Sequence, residues 1–71
     1  MKDVPEADVV VVNPVHIAVA LKYDPAVAPA PYVLAVGRRK VAERIKELAF
    51  AAEVPVVENV PLARALVGSV K

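Results

Sequence analysis

The chain is predicted to fold as a small α/β domain, a mixed four-stranded sheet flanked by helices. Three observations predict it. Two apolar runs rich in β-branched residues, Val9–Val12 and Ile17–Leu21, are separated by only four residues. Short continuous runs of this kind are what strands covered on both faces look like. A third run, Tyr32–Val36, is followed by a helical pattern and then by Val56-Val57, the order of a βαβ unit. The chain has 71 residues, the size of one small domain that buries only about 60% of its unfolded surface. An apolar fraction of 58% offsets that handicap.

In chain order, Met1 to Asp8 reads as a polar lead-in without a helix-capping pattern of its own. The first strand, Val9–Val12, runs into Asn13-Pro14-Val15-His16. Asn-Pro is a turn signal, because Asn bonds locally to backbone and Pro presets φ at the second turn position. Val15 at the third position argues against a type II turn, which needs φ > 0 there, so a type I-like turn is expected. The second strand, Ile17–Leu21, should diverge from the first or pair with it locally in the antiparallel sense. The Asn13-Pro14 bond then falls in an exposed turn at a sheet edge.

Asp24 to Pro31 carries three prolines in eight residues. Pro disfavours the helical conformation in the residue before it, so an extended connector with at most one helical turn is expected. Tyr32–Val36 is the third strand, with Gly37 ending it. From about Arg39 to Glu53, Val41, Ile45, Leu48 and Ala52 share one helical face, and Arg39–Glu43 is an i,i+4 ion pair. Pro55 ends that pattern and Val56-Val57 is the fourth strand. Pro61 suits the first position of a last helix, where its missing N–H costs little. Leu62, Ala65 and Leu66 should face the sheet from it. The third and fourth strands should be parallel, joined by a right-handed crossover.

Composition excludes several function classes. There is no cysteine, so disulfide and thiolate chemistry are absent, which suits a reducing compartment. One histidine and no cysteine leave no set of ligands for a tetrahedral zinc site, and nothing in the chain calls for a cofactor. Nine basic against eight acidic residues give a net charge of +1, too little to set up a field for nucleic acid. The four-valine run is far short of the roughly 20 apolar residues needed to span a bilayer, and no signal peptide is visible.

The residues that point to chemistry are Asn13, Pro14 and His16. An Asn usually degrades when the next backbone nitrogen attacks its side-chain carbonyl, but Pro14 has no N–H. The reverse attack remains: the Asn13 side-chain nitrogen can attack the backbone carbonyl of Asn13 itself. The products are a C-terminal succinimide and a free Pro14 amine. A tertiary X-Pro amide is easier to distort than an ordinary peptide bond. Imidazole, whose ordinary titration falls near neutrality, stands two residues away at His16 to protonate the expelled nitrogen. Well-oriented intramolecular attack can lower a barrier by roughly 7–11 kcal/mol. A plain Asx-type turn with a polar His beside it is the alternative.

Asn13-Pro14-Val15-His16, followed by Ile17–Leu21 and Lys22-Tyr23-Asp24, resembles the cytoplasmic domain of the FlhB/YscU/SpaS family. These are the export-switch proteins of flagellar and virulence type III secretion. The resemblance continues through Ala30-Pro31, Gly37, the helix segment Val41-Ala42-Glu43-Arg44-Ile45, Val54 to Asn59, and Pro61 to Leu66. It covers nearly the whole chain in order. It implies self-cleavage between Asn13 and Pro14, with His16 assisting and the two fragments remaining associated. It also implies partners among export-apparatus proteins and exported substrates, and a place at the cytoplasmic face of the bacterial inner membrane. A transmembrane region precedes this segment in the family, so residues 1–71 are expected to be one domain of a larger membrane protein, with a free-standing homologue as the other reading. Val15 stands where the family usually has Thr. The two are nearly isosteric, but a hydroxyl is lost, so cleavage slower than the family norm is expected if that hydroxyl orients the reacting groups.

Four further groups stand out. Arg38, Arg39 and Lys40 place positive charge at a helix N-terminus, where the macrodipole prefers anions; a docking site for an acidic partner and a solvated surface are both open. Ala30 and Pro31, with Ala28 and Leu62 nearby in character, offer small apolar surface, and in the resembled family such a patch is tied to substrate recognition. Glu58-Asn59 reads as a capping or turn element, and Arg64 as a surface contact or an ion-pair partner of a strand-end acid. Two competing functions stand beside the export switch: a non-cleaving adapter of the same fold, and a small nucleic-acid-binding α/β domain using Arg38, Arg39 and Lys40. The near-neutral charge and only three aromatic residues count against the latter.

Overall fold

In the computed structural model of the protein, residues 2–14 and 16–69 are described. A short 3-10 turn, Val4–Glu6, leads into β1 (Val9–Asn13) and β2 (Ile17–Lys22). These are followed by β3 (Tyr32–Arg38), α1 (Lys40–Ala51), β4 (Val56–Glu58) and α2 (Val60–Ser69). The sheet order is β3-β2-β1-β4. β1 and β2 form an antiparallel hairpin in register from Val9↔Leu21 to Asn13↔Ile17, β2 pairs antiparallel with β3, and β1 pairs parallel with β4. A bulge shifts the β2–β3 register between Ala20 and Leu21.

Both faces of the central hairpin are covered, as its unbroken apolar runs predict. Alternation along a strand sends Val10 and Val12 to one face and Val11 to the other. On the first face, Val10, Val12, Ala18 and Ala20 form one buried cluster with Ala42, Ile45 and Ala49 of α1, together with Val4, Ala7 and Val54. On the second face lie Val11 and Val19, both buried, beneath α2, whose Ala63 is fully buried. The polar lead-in is therefore part of the core, because Val4 and Ala7 turn inward from it.

Several expectations are corrected. β3 and β4 run parallel but are not neighbours: they form the two edges of the sheet, with the hairpin between them. The hairpin turn thus closes the two central strands instead of sitting at a sheet edge, and Asn13 is buried at 8% exposure. Apart from Ile45, the inward faces of both helices are set by alanine rather than by bulk. In α1 the buried residues are Ala42, Ile45 and Ala49, while Val41 is exposed. In α2 it is Ala63, while Leu62 and Ala65 are exposed. Gly37 does not end β3 but lies within it. It has no positive φ. Its role is close approach: a Cβ there would stand 2.3 Å from Val41 Cγ1, 2.9 Å from Val41 Cβ and 3.1 Å from Ile45 Cδ1.

α1 ends in a Schellman-type turn. Glu53 N–H donates to Phe50 O at 3.2 Å and Val54 N–H to Ala49 O at 2.8 Å, with Glu53 at φ 59° in the position that glycine usually takes. The proline-rich connector holds one turn. Asp24 caps it, its Oδ1 accepting from Ala26 N–H at 3.0 Å and its carbonyl from Val27 and Ala28. At the open end of the hairpin, Asp8 Oδ2 accepts from Tyr23 N–H at 2.6 Å.

Two stability changes follow. Gly37→Ala should cost about 2 kcal/mol, because the Val41 Cβ and the buried Ile45 cannot both withdraw; a melting curve should fall by about 10 °C. Glu53→Gly should raise stability by about 1 kcal/mol, since glycine takes the left-handed C-terminal position without steric cost, seen as a higher denaturation midpoint with an unchanged slope.

Candidate functional site

The Asn13-Pro14 bond lies where β1 stops. Asn13 is the last residue of β1, paired with Ile17. By alternation its side chain shares the face of Val11, the one covered by α2. His16 N–H donates to Asn13 O at 3.1 Å, closing a four-residue turn around Pro14. The acceptor is the carbonyl whose carbon the Asn13 side chain would attack. A donor on that oxygen withdraws electrons from the carbon and stabilises the oxyanion of a tetrahedral intermediate. Pro14 is half-buried and the His16 side chain is exposed. The expected type I-like geometry rests on Val15, which lies outside the described residues, as does the side chain that replaces the family Thr.

Two neighbours frame the turn. On one side Asn59 N–H donates to Val12 O at 3.0 Å, while Asn59 Oδ1 caps α2 through Leu62 N–H at 3.1 Å. The capping reading of Asn59 holds, and Pro61 becomes the second residue of α2 instead of the first. On the other side Arg39 N–H donates to His16 O at 3.0 Å. Arg39 sits between β3 and α1 with φ 55° and ψ −120°, a backbone conformation that side chains rarely adopt and that costs on the order of 1–3 kcal/mol. Nothing in the sequence marks it, since arginine carries no preference for positive φ.

The predicted docking residues separate into two places. Ala30 and Pro31 are exposed just before β3, at the end where Tyr32 pairs with Lys22. Arg38, Arg39 and Lys40 are exposed at its other end, where Arg38 pairs with Ile17 beside the turn. Seven residues of strand, about 23 Å at 3.3 Å per residue, part them. The three cations do not form one helical cluster: Arg38 closes β3, Arg39 precedes the helix, and Lys40 is its first residue. The expected Arg39–Glu43 ion pair is not found among the described residues, since Arg39 precedes the helix; the two meet through the backbone, Glu43 N–H donating to Arg39 O at 3.1 Å. The ion pair found among the described residues is Arg44–Glu47, 3.8 Å apart and exposed. Arg64 is exposed. A surface depression on the outer side of α1, lined by Glu43, Lys46, Glu47 and Phe50, includes none of the predicted site residues.

The chain matches the FlhB HrpN YscU SpaS Family over residues 1–71 and belongs to that family. It is 48% identical over 71 residues to the flagellar biosynthetic protein FlhB of Bacillus subtilis (strain 168), covering all of this chain and 20% of that protein. Among solved structures, the cytoplasmic domain of FlhB from Shewanella putrefaciens is similar with a TM-score of 0.93 at 46% identity, covering 99% of this chain and 54% of that one. A mutated EscU C-terminal domain carrying an asparagine-to-alanine change has a TM-score of 0.91 at 34% identity, covering 99% of this chain and 70% of that one. The chain thus spans about a fifth of the length of the curated relatives it matches. No helix among the described residues is long and apolar enough to cross a membrane.

The exposed cations give a stability test. Arg38→Glu should change stability by no more than about 0.5 kcal/mol, and Lys40→Glu should raise it by a few tenths, roughly 0.3–0.5 kcal/mol, by placing an acid in the first turn of α1. Denaturant titrations of both variants check this; a clear loss in either would reveal a structural ion pair.

Proposed function

We propose that this chain is the cytoplasmic domain of a flagellar or virulence type III export component, that it controls which proteins are exported, and that it cleaves itself once between Asn13 and Pro14. The observation that carries the reading is the His16 N–H on Asn13 O at 3.1 Å, in a turn fixed between two strands buried on both faces. Support also comes from the EscU domains, solved with an asparagine changed to alanine and with the next-numbered proline changed to alanine. This chain has a single Asn-Pro pair, Asn13-Pro14.

In the step proposed, Asn13 Nδ2 bonds to the backbone carbonyl carbon of Asn13, closing a five-membered ring. The Asn13 oxygen takes up charge against the His16 N–H. The tetrahedral carbon then expels the Pro14 nitrogen, which keeps the electron pair of the broken bond and gains a proton. Nδ2 loses one, so the sum of bound protons is unchanged. His16, exposed to solvent, is the candidate carrier of that proton. No metal or cofactor enters the balance. The N-terminal fragment would then keep the 3-10 turn and the central strand β1, and the C-terminal fragment the rest of the domain. Ala30 and Pro31 would serve exported substrates, and Arg38, Arg39 and Lys40 an acidic partner in the apparatus. Residues 1–71 would act as one domain of a membrane protein, with the inner membrane reached through a preceding region.

A non-cleaving adapter of the same fold is the second reading, favoured by Val15 in place of the family Thr. The two are separated by intact mass under denaturing conditions, followed over days. The cleaving chain yields two fragments whose masses sum to the parent's, with one water more once the imide hydrolyses. Asn13→Ala should abolish splitting, Asn13→Asp should slow it strongly at neutral pH, and His16→Ala should slow it by roughly 10²–10⁴-fold at most. Val15→Thr should accelerate it. A parent chain that stays intact, and stays intact as Val15→Thr, leaves the adapter reading in place.

A further inference from the structure

The β2–β3 register places His16 directly opposite Arg39, one step beyond the Ile17↔Arg38 pair. A residue pair that is hydrogen-bonded in an antiparallel ladder exchanges two bonds, each N–H meeting the other's carbonyl. Here only one is made, Arg39 N–H to His16 O at 3.0 Å. The two missing partners are both engaged elsewhere. His16 N–H goes to Asn13 O at 3.1 Å, and Arg39 O accepts from Glu43 N–H at 3.1 Å. What diverts them is the backbone of Arg39. An extended residue has φ near −140° and ψ near +135°, which would aim its carbonyl at His16. Arg39, at φ 55° and ψ −120°, turns that carbonyl into the first turn of α1.

We infer that Arg39 is a positioning residue for the cleavage: its left-handed backbone takes the competing carbonyl away from His16 N–H, which is left to the Asn13 carbonyl, while its own N–H holds His16 O in place. The inference rests on the self-cleavage reading for its consequence, but its geometry stands independently of whether the bond is cut. The side chain has no part in it; Arg39 is exposed. The strain is kept because three bonds depend on it, and Gly37, two residues earlier, is not the residue that makes the turn.

The test uses three variants of the whole chain. Valine is the side chain least tolerant of positive φ, so Arg39→Val should slow splitting at Asn13-Pro14 about tenfold or more, as small misplacements of reacting groups do. Arg39→Gly at the same position should restore it. In the Asn13→Ala background, which keeps the residue-13 carbonyl, the through-hydrogen-bond NMR coupling from the His16 amide nitrogen to that carbonyl should vanish with Arg39→Val and return with Arg39→Gly. A folded Arg39→Val chain that splits at the parental rate, or keeps the coupling, overturns the inference. Should Arg39→Val fail to fold, the α-hydroxy analogue of arginine at position 39 decides, because its ester removes the N–H to His16 O and keeps the Arg39 side chain and carbonyl: slower splitting supports the role and the parental rate overturns it. If neither the parent nor Val15→Thr splits at all, the cleavage reading falls, and the NMR coupling alone still accepts or rejects the geometry.

Discussion

Everything in this domain depends on β1 being held on four sides. It is bonded to β2 along one edge and to β4 along the other, and covered by α1 on one face and α2 on the other. Val10, Val11 and Val12 are all buried, and at about 1.5–3 kcal/mol for each buried aliphatic side chain they contribute roughly 5–9 kcal/mol, comparable to the whole net stability of a small domain. The strand ends on Asn13, the residue proposed to cut the chain. A break there removes one covalent link at the end of a strand whose ladder bonds and packing lie entirely upstream. Residues 1–13 would stay in place, so cleavage would alter the turn and leave the fold. That makes the turn, and the surface next to it, the part of the molecule that a cleaved and an uncleaved domain would present differently.

The strands were legible in the sequence because their cause is compositional. Four consecutive valines followed by a turn signal and another apolar run admit few other readings, and burial on both faces explains why no alternation was visible. The helix faces were not legible for the same reason in reverse. Ranking by hydrophobic bulk places Val41, Ile45, Leu48 and Leu62 inward; Ile45 is fully buried, yet the other buried helix residues are Ala42, Ala49 and Ala63. Beside Val10 and Val12, the sheet surface under α1 carries the small residues Ala18, Ala20 and Gly37, so the helix sits close and places Ala42 and Ala49 on either side of the one large buried residue, Ile45. The 2.3 Å that would separate a Gly37 Cβ from Val41 shows how close. Bulk is pushed to the rim, where Leu48 packs half-buried. A volume constraint supplied by a distant strand overrides the local pattern.

The candidate site divides along the same line. Asn13, Pro14 and His16 were legible because turn chemistry is local. What the sequence does not carry is that β3 brings Arg38 and Arg39 to this turn and takes Ala30 and Pro31 to the opposite end, since strand order is a tertiary fact and β3 lies beside β2 instead of β4. A partner that contacts the cationic end of β3 would touch the turn itself; one that contacts Ala30 and Pro31 would be a strand's length away. β2 and β3 both run from the turn to that far end, since Ile17 pairs with Arg38 and Lys22 with Tyr32.

Among the described residues, two that are not glycine have positive φ, Glu53 and Arg39, and they differ in kind. Glu53 occupies the end of a helix in the conformation that ends many helices, and the two bonds of its Schellman turn account for it. Its position is costly for a glutamate but ordinary for a chain. Arg39, with ψ −120°, is outside the left-handed helical basin that Asn or Asp tolerates. A continued β3 would have needed no such residue, and an ordinary cap with a Ser, Thr, Asn or Asp side chain could have begun α1 without it. The first would aim the Arg39 carbonyl at the His16 N–H; in the second the carbonyl enters the helix, and the N–H, on the same side of an extended residue, turns away from His16 with it. The strained residue is the one arrangement of the three that begins the helix, anchors His16 and leaves the Asn13 carbonyl with its donor.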